Sequence, residues 1–215
     1  MKIIKTPLSI FLAGFAISFH VNGQTNSLSS PEISGQKTVE TLVCVRHGEK
    51  PPGGLGQLNC RGLNRALALP DVLLKKYGAP KFVFAPNPTQ KADGGAIGKY
   101  YYVRPLMTIE PTAIRCDLPV NTEFGYLQIK RLEKELEKQK YRNAVVFIAW
   151  EHGALDELAK NLLKDNGGNP AQVPRWPEND YDTIFIFKIT RDAGRESLAF
   201  TIDHEGLNGL SDKCP

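Results

Sequence analysis

Short apolar runs alternate with amphipathic stretches along most of the chain. The runs Thr41–Val45, Lys81–Ala85 and Asn143–Trp150 are continuously apolar or nearly so, which is typical of buried strands. Between them, apolar residues recur at helical spacing from about Arg61 to Tyr77 and from Leu155 to Leu163. Strands that alternate with helices predict an α/β fold, a three-layer sandwich with a mostly parallel central sheet and helices on both faces.

The remaining elements follow from the same patterns. They are a helix over Pro105–Cys116, a helix face from Tyr126 to Leu136, and strands at Thr183–Thr190 and Ser197–Asp203 that turn at Asp192–Gly194. We expect Pro70 to break or kink the first helix, because proline removes a hydrogen bond from a helix interior. Asn59 is the expected cap of that helix.

The N-terminus has the pattern of an export signal. Lys2 and Lys5 precede an apolar run, Pro7–Phe19, that is too short to span a bilayer comfortably. Cleavage is expected after Gly23; an uncleaved anchor helix is the alternative. We therefore expect a signal peptide (1–23), a flexible leader (24–38) and a single domain (39–215), periplasmic or secreted and without stable membrane insertion.

Charge and cysteine content narrow the class of protein. The 215 residues carry 27 Lys and Arg against 23 Asp and Glu, a net charge of +4, with no basic stripe interleaved with aromatics, so nucleic-acid binding is not expected. The four cysteines form no CxxC pair, which argues against a zinc ribbon or a thioredoxin-type site.

A disulfide is allowed in an oxidising compartment. We expect Cys44 to be buried in a strand and Cys116 to lie near a helix end. We expect Cys60 and Cys214 to pair, which would hold down a C-terminal segment that has no apolar face. Four cysteines allow three complete pairings, so the sequence leaves the connectivity open.

Two histidines stand in matching positions. His47 and His152 each follow an apolar strand and a charged residue, and each precedes a glycine. Ligands of open α/β sheets bind at the carboxyl ends of strands, so the two imidazoles could converge on one site. A neutral imidazole is a nucleophile towards phosphorus, and Arg46 beside the first histidine suits a phosphate oxyanion. This pattern indicates phosphoryl transfer; the alternative is that both histidines only fill strand ends.

Three segments in order resemble the histidine phosphatase superfamily, which has the phosphoglycerate-mutase-like fold. Val45–Glu49 resembles its Arg-His-Gly motif, Leu58–Ala66 resembles the start of the following helix, and Ala149–Gly153 resembles the second-histidine motif. The resemblance covers roughly Thr41 to Ile189.

The resemblance implies an activity and a set of residues. His47 would become the phosphohistidine, with Arg46, Gly48, a second arginine and His152 around the phosphoryl group, and no metal or cofactor would be needed. An exported enzyme that hydrolyses a small phosphorylated substrate is the leading expectation. A phospho-ligand binder of the same fold without catalysis is the alternative, and an intracellular mutase is disfavoured by the export signal.

The second arginine is absent from its usual place after the second strand, where Phe84–Gln90 contains none. We assign it to Arg104, because Thr108 follows at the spacing of the family element and Pro105 suits a first helical turn. Pro86–Val103 would then be an insertion. The alternative is a surface arginine at the end of a tyrosine-rich loop.

The acid that protonates the leaving oxygen stays open. Glu123, in the loop before the third helix, is the best candidate by resemblance to mutase-like members. An interaction of its carboxylate with the dipole of the following helix, without any catalytic role, explains Glu123 equally well. Glu151, Glu49 and Asp182 are the other candidates.

Overall fold

The computed structural model describes residues 36–93 and 98–215, and these belong to one compact unit. The predicted signal peptide, and the predicted leader as far as residue 35, lie outside the described residues. Within the described ranges, no helix is long and apolar enough to cross a membrane.

The secondary structure follows the predicted alternation. In chain order the elements are β1 Thr38–Arg46, α1 Cys60–Tyr77, β2 Phe82–Phe84, β3 Lys91–Asp93, β4 Lys99–Tyr101, α2 Arg104–Arg115, β5 Val120–Asn121, α3 Ile129–Leu136, β6 Val145–Trp150, α4 His152–Asp165, β7 Thr183–Asp192 and β8 Arg195–His204. Short 3₁₀ turns lie at Gln139–Tyr141 and Pro170–Gln172.

Six strands of the described chain form one sheet in the order β5–β2–β6–β1–β7–β8. The strands β5, β2, β6 and β1 pair in parallel, whereas β7 is antiparallel to both β1 and β8. Since β8 is antiparallel to β7, it runs in the direction of the first four strands. The predicted mostly parallel sheet is therefore confirmed.

Helices cover both faces of this sheet, as the three-layer prediction requires. Alternate residues of β1 point to opposite faces because side chains alternate along a strand. Leu42 and Cys44 pack in the cluster that holds α3 and α4, and Val43 and Val45 pack in the cluster that holds α1 and α2. The central strand β1 is thus buried on both sides, and its carboxyl end lies beside the end of β6.

One helix differs from its prediction. Asn59 caps α1 as expected, its Oδ1 accepting the N–H of Gly62 at 2.9 Å, and the helix ends before Gly78. Pro70, however, does not break α1, which runs without interruption to Tyr77. Pro70 and its neighbour Leu69 are buried, so packing offsets the backbone hydrogen bond that proline removes.

The C-terminal segment is held against α1. Cys60 and Cys214 form a disulfide with a Cα–Cα distance of 4.5 Å, so the predicted pairing is confirmed. Asn64 Nδ2, one turn into α1, donates to the carbonyls of Ser211 and Lys213, each at 2.8 Å. The start of α1 and the end of the chain therefore form one linked surface.

Candidate active site

The first strand ends in a buried imidazole. His47 is 2% exposed, and its backbone N–H donates to the Trp150 carbonyl at 3.0 Å, which joins the ends of β1 and β6. The ring Nδ1 lies 2.7 Å from the Gly48 carbonyl oxygen. A carbonyl can only accept, so this bond places the ring proton on Nδ1 and leaves the lone pair on Nε2.

The surroundings of His47 keep its imidazole neutral. Burial is the main cause that lowers the pKa of His47 to about 3, and the charges of Arg104 and Arg46 lower it further. The Gly48 carbonyl and the charge of Glu151 act in the opposite direction. At neutral pH His47 is therefore an uncharged nitrogen base between two cations.

Arg46 is held by the loop between α4 and β7. Its side chain is buried, and Nη1 donates to the carbonyl oxygens of Pro177, Glu178 and Asp180 at 3.1, 2.7 and 2.7 Å. The guanidinium carbon lies 4.1 Å from the centre of the Tyr181 ring. Nε of Arg46 is buried without a hydrogen-bond partner in the described structure.

The structure brings Arg104 to the same place. Arg104 is the first residue of α2, 4% exposed, with Pro105 next in the first turn. Its Nη1 donates to the Gly54 carbonyl at 2.8 Å, and its Nε is buried with no partner among the described residues. Arg104 and His47 both lie against Tyr102, and the charge of Arg104 lowers the pKa of His47.

Gly48 connects the two arginine-bearing segments. Its backbone N–H donates to Thr108 Oγ1 at 2.9 Å, so this donor is not free for a phosphate oxygen. We therefore assign Gly48 a positioning role in place of the phosphate-binding role expected from the sequence. A Cβ on Gly48 would meet the Gly62 carbonyl oxygen at 3.0 Å, so the loop packs this closely on α1 only with glycine here.

His152 and Glu151 form a pair at the end of β6. His152 begins α4, and Glu151 caps the helix by accepting the Ala154 N–H at 2.8 Å. Glu151 Oε1 lies 2.5 Å from His152 Nδ1. Burial alone would raise the pKa of Glu151, but His152 and the N–H groups of Gly153 and Ala154 lower it to about 2. Glu151 is consequently a carboxylate at neutral pH and not a proton donor.

Two other candidate acids belong to a separate cluster. Glu49 binds Arg65 through both oxygens, at 2.9 and 2.8 Å, and Arg65 Nη1 also binds Glu205 at 2.6 Å. Asp182 Oδ1 lies 3.7 Å from the same Nη1. We call Arg65, Glu49, Glu205 and Asp182 the Arg65 cluster; its carboxyl groups surround a buried cation, and no hydrogen bond or ion pair of the described structure joins them to His47 or His152.

Glu123 has no recorded contact with His47 or His152 in the described structure. It is exposed in the loop between β5 and α3, where its backbone N–H donates to Asn121 Oδ1 at 2.9 Å. No contact among the described residues joins its carboxylate to His47. The same loop does reach the site, since the Tyr126 ring lies 5.0 Å from that of Tyr102.

Tyr102 is a site residue that the sequence reasoning missed. Its ring centre lies 5.9 Å from that of His47, edge-on, and 4.6 Å from the guanidinium carbon of Arg104. Its hydroxyl is buried with no hydrogen-bond partner in the described part of the chain. The run Tyr100–Tyr102, which only Val103 separates from Arg104, was the available signal.

These groups form a site suited to an oxyanion. Three buried N–H or O–H donors near His47 have no acceptor in the described structure: Arg46 Nε, Arg104 Nε and the Tyr102 hydroxyl. An unsatisfied buried donor costs about 1–3 kcal/mol, so an anionic ligand that accepts from them would be stabilised. Among the described residues, no group of three or more His, Cys, Asp and Glu is arranged to hold a metal ion.

Comparison with known proteins gives the fold. No protein family model matches the chain, and no curated protein matches its sequence. Among solved structures it is similar to a Nakamurella multipartitia protein named as the phosphohistidine phosphatase SixA, with a TM-score of 0.52 and 14% identity over 77% of this chain and 96% of that one. It is also similar to the mycobacterial glucosyl-3-phosphoglycerate phosphatase Rv2419c, with a TM-score of 0.50 and 15% identity over 76% of this chain and 97% of that one. A third similar structure is phosphoglycerate mutase from Bacillus anthracis, with a TM-score of 0.50 and 11% identity over 78% of this chain and 94% of that one. The chain therefore has the phosphoglycerate-mutase-like fold of histidine phosphatase superfamily structures.

Proposed function

We propose that this protein hydrolyses phosphomonoesters through a phosphohistidine at His47. The observation that carries the proposal is the neutral, buried imidazole of His47 between the guanidinium groups of Arg46 and Arg104, each with an unpartnered Nε. Fixed cations and hydrogen-bond donors around a nucleophile are what phosphoryl transfer requires, since charge spreads over the equatorial oxygens in its transition state. His152, with Nδ1 beside Glu151, would offer Nε2 to the same oxygens.

The reaction would proceed in two displacements. In the first, Nε2 of His47 attacks phosphorus, the N–P bond forms, the ester P–O bond breaks and the leaving oxygen takes a proton from an acid. In the second, a water oxygen attacks phosphorus, the N–P bond breaks, and the conjugate base of that acid takes the proton from water. Inorganic phosphate leaves and His47 is neutral again. No step is assigned to a metal ion.

Glu123 is the carboxylate we propose as the acid. Glu151 is already ionised, and Glu49 and Asp182 lie in the Arg65 cluster. What supports Glu123 is its place on the loop whose Tyr126 packs on Tyr102, and an exposed carboxyl there is free to meet a bound ester.

The substrate class is a small phosphorylated molecule, and we propose export of the enzyme to the periplasm or the medium. Two of the similar structures are named as phosphatases of different substrates, one a phosphohistidine and one a glucosyl-phosphoglycerate. The shared chemical group is the phosphoryl group, which is the part that Arg46, Arg104 and His152 would hold.

Binding without turnover is the second candidate. The observation that favours it is that no carboxylate of the described chain able to donate a proton contacts His47, since Glu151 is ionised and Glu123 has no recorded contact with the imidazole. Such a protein would hold phosphate or a phosphate ester at the same arginines without breaking the ester bond.

A panel of phosphomonoesters, assayed with EDTA, separates these functions. Wild type should release phosphate and give acid-labile, protein-bound phosphate with a labelled substrate, and His47→Ala should do neither. His204→Ala, at an exposed histidine on β8, is the matched control and should retain full activity. Full activity in His47→Ala would contradict the mechanism, and phosphate binding without any turnover would favour the second candidate.

The acid can be tested with two kinds of leaving group. Glu123→Gln should slow hydrolysis of alkyl phosphates by about 10²-fold or more, because an alkoxide needs a proton on leaving. Hydrolysis of p-nitrophenyl phosphate, whose leaving group needs no proton, should change far less. Glu110→Gln, at an exposed glutamate of α2, is the control. Equal rates for Glu123→Gln and wild type on alkyl phosphates would exclude Glu123.

A further inference from the structure

Tyr102 is fixed in place beside the nucleophile. It is 1% exposed, with its ring edge-on to His47 at 86° and packed against Tyr126 on another side. The Arg104 guanidinium lies over its face, and its backbone N–H donates to the Gln90 carbonyl at 3.2 Å. A ring held from several sides presents its hydroxyl in one direction, with little conformational freedom left to lose on binding.

We infer that Tyr102 contacts the phosphoryl group directly, its hydroxyl donating a hydrogen bond to an oxygen of the bound phosphate ester. This inference rests on the proposed function and adds a donor to the two arginines and His152. A phenylalanine would fill the same space without leaving a buried hydroxyl unpaired. Arg104 can only donate to this hydroxyl, so the O–H itself has no acceptor in the described structure and indicates one that arrives with the ligand.

The charges around Tyr102 indicate the sign of that ligand. Burial raises the pKa of Tyr102, so the phenol is protonated at neutral pH and can donate. Arg104 and Arg46 both act on the same hydroxyl, and each lowers its pKa, whereas Glu151 raises it. Since the charges of both guanidinium groups act on this hydroxyl, an anionic ligand is favoured beside it.

The insertion between β2 and α2 supplies this residue. Tyr102 directly follows β4, which pairs with β3 in an antiparallel hairpin. The hairpin packs on the loop after His47: a Cβ on Gly54 would meet the Tyr100 hydroxyl at 2.7 Å, and the Gly54 carbonyl binds Arg104. Hairpin, nucleophile loop and second arginine therefore form one packed unit that sets the position of the Tyr102 hydroxyl.

The test removes only the hydroxyl. Tyr102→Phe keeps the ring and its contacts with Arg104 and His47, so the variant should fold, with a Tm at or above that of wild type. Its kcat/KM for phosphomonoesters should fall roughly tenfold or more, and the Kd for inorganic phosphate should rise by a similar factor, because hydrogen bonds to charged groups are the stronger class. Tyr101→Phe, at a 57% exposed tyrosine of the same hairpin, is the control and should match wild type.

The outcomes separate this inference from the proposed function. If wild type hydrolyses phosphomonoesters and Tyr102→Phe equals it in both kcat/KM and phosphate Kd, the inference is overturned while the proposed function stands. If wild type neither hydrolyses esters nor binds phosphate, both are overturned. Circular dichroism at the assay temperature confirms that each variant is folded, so that a loss of phosphate binding reports on the hydroxyl.

Discussion

The hydroxyl of Thr108 accepts the backbone N–H of Gly48 and donates to the carbonyl of Arg104, each at 2.9 Å. Thr108 is fully buried, so this hydroxyl is the polar connection between the loop that carries His47 and the first turn of α2. His47 and Arg104 lie 57 residues apart in the chain (104 − 47), and Thr108 acts with the bonds from Arg104 to the Gly54 and Gly56 carbonyls to set their relative position.

Thr108→Val should weaken both catalysis and folding. The change keeps the shape but leaves the buried Gly48 N–H unpaired, which costs about 1–3 kcal/mol of unfolding free energy. We expect kcat/KM to fall about tenfold and Thr108→Ser to restore it. Thr112→Val, one turn later, removes a buried hydroxyl that has no partner in the described structure and should leave activity unchanged. Equal kcat/KM for the two valine variants would contradict this role.

The Arg65 cluster should dominate the stability of the nucleophile loop. Arg65→Gln removes the buried cation that binds Glu49 and Glu205, and breaking a buried ion pair costs about 3–5 kcal/mol. Urea unfolding should show that loss. Arg61→Gln, on the same helix, breaks an exposed pair with Asp212 and should change stability by less than about 1 kcal/mol. A similar small change in both variants would show that the cluster does not stabilise the fold.

The stability of the protein should depend on His47 between about pH 6.5 and pH 3. The pKa of His47 falls from 6.5 to about 3 on folding, chiefly through burial, so below pH 6.5 the unfolded chain binds a proton that the folded chain does not. The unfolding free energy of wild type should therefore fall as the pH drops through this window. His47→Gln lacks this titrating group, so its unfolding free energy should fall less than that of wild type as the pH drops. His204→Gln, at an exposed histidine, should follow the wild-type profile. If the unfolding free energies of His47→Gln and wild type changed in parallel with pH, the buried neutral state of His47 would be refuted.

The disulfide should stabilise the fold by restricting the unfolded chain. Cys60 and Cys214 are 154 residues apart, and closing so long a loop contributes about 2–5 kcal/mol. The double variant Cys60→Ser, Cys214→Ser should lose that amount in urea unfolding, and dithiothreitol should bring wild type to the same midpoint. Cys116→Ser, at a free cysteine, should still respond to dithiothreitol. If the reductant left the wild-type midpoint unchanged, the stabilising role would be excluded.

Local features of the sequence predicted much of the architecture. Continuous apolar runs predicted β1 and β6, because strands buried on both faces need no alternation of polar residues. Asn59 and Pro105 predicted where α1 and α2 begin, since caps and first turns depend on neighbouring residues only. The two His-Gly pairs indicated a site at the carboxyl end of the sheet, because each pair stands at the end of a predicted strand.

Contacts between distant segments were decided by the tertiary structure alone. The carbonyls that hold Arg46 lie 131 to 134 residues away, and Glu205 lies 140 residues from Arg65, so no local pattern announces either partner. Whether a carboxylate can act as an acid depends likewise on what surrounds it: Glu151 is ionised because a helix N-terminus and His152 meet at its oxygens. The sequence by itself determined the long strands and the helices and marked His47 as the candidate nucleophile. The packing of separate segments decided which donors are left free to meet a ligand, because burial and charge at a site sum over every segment that reaches it.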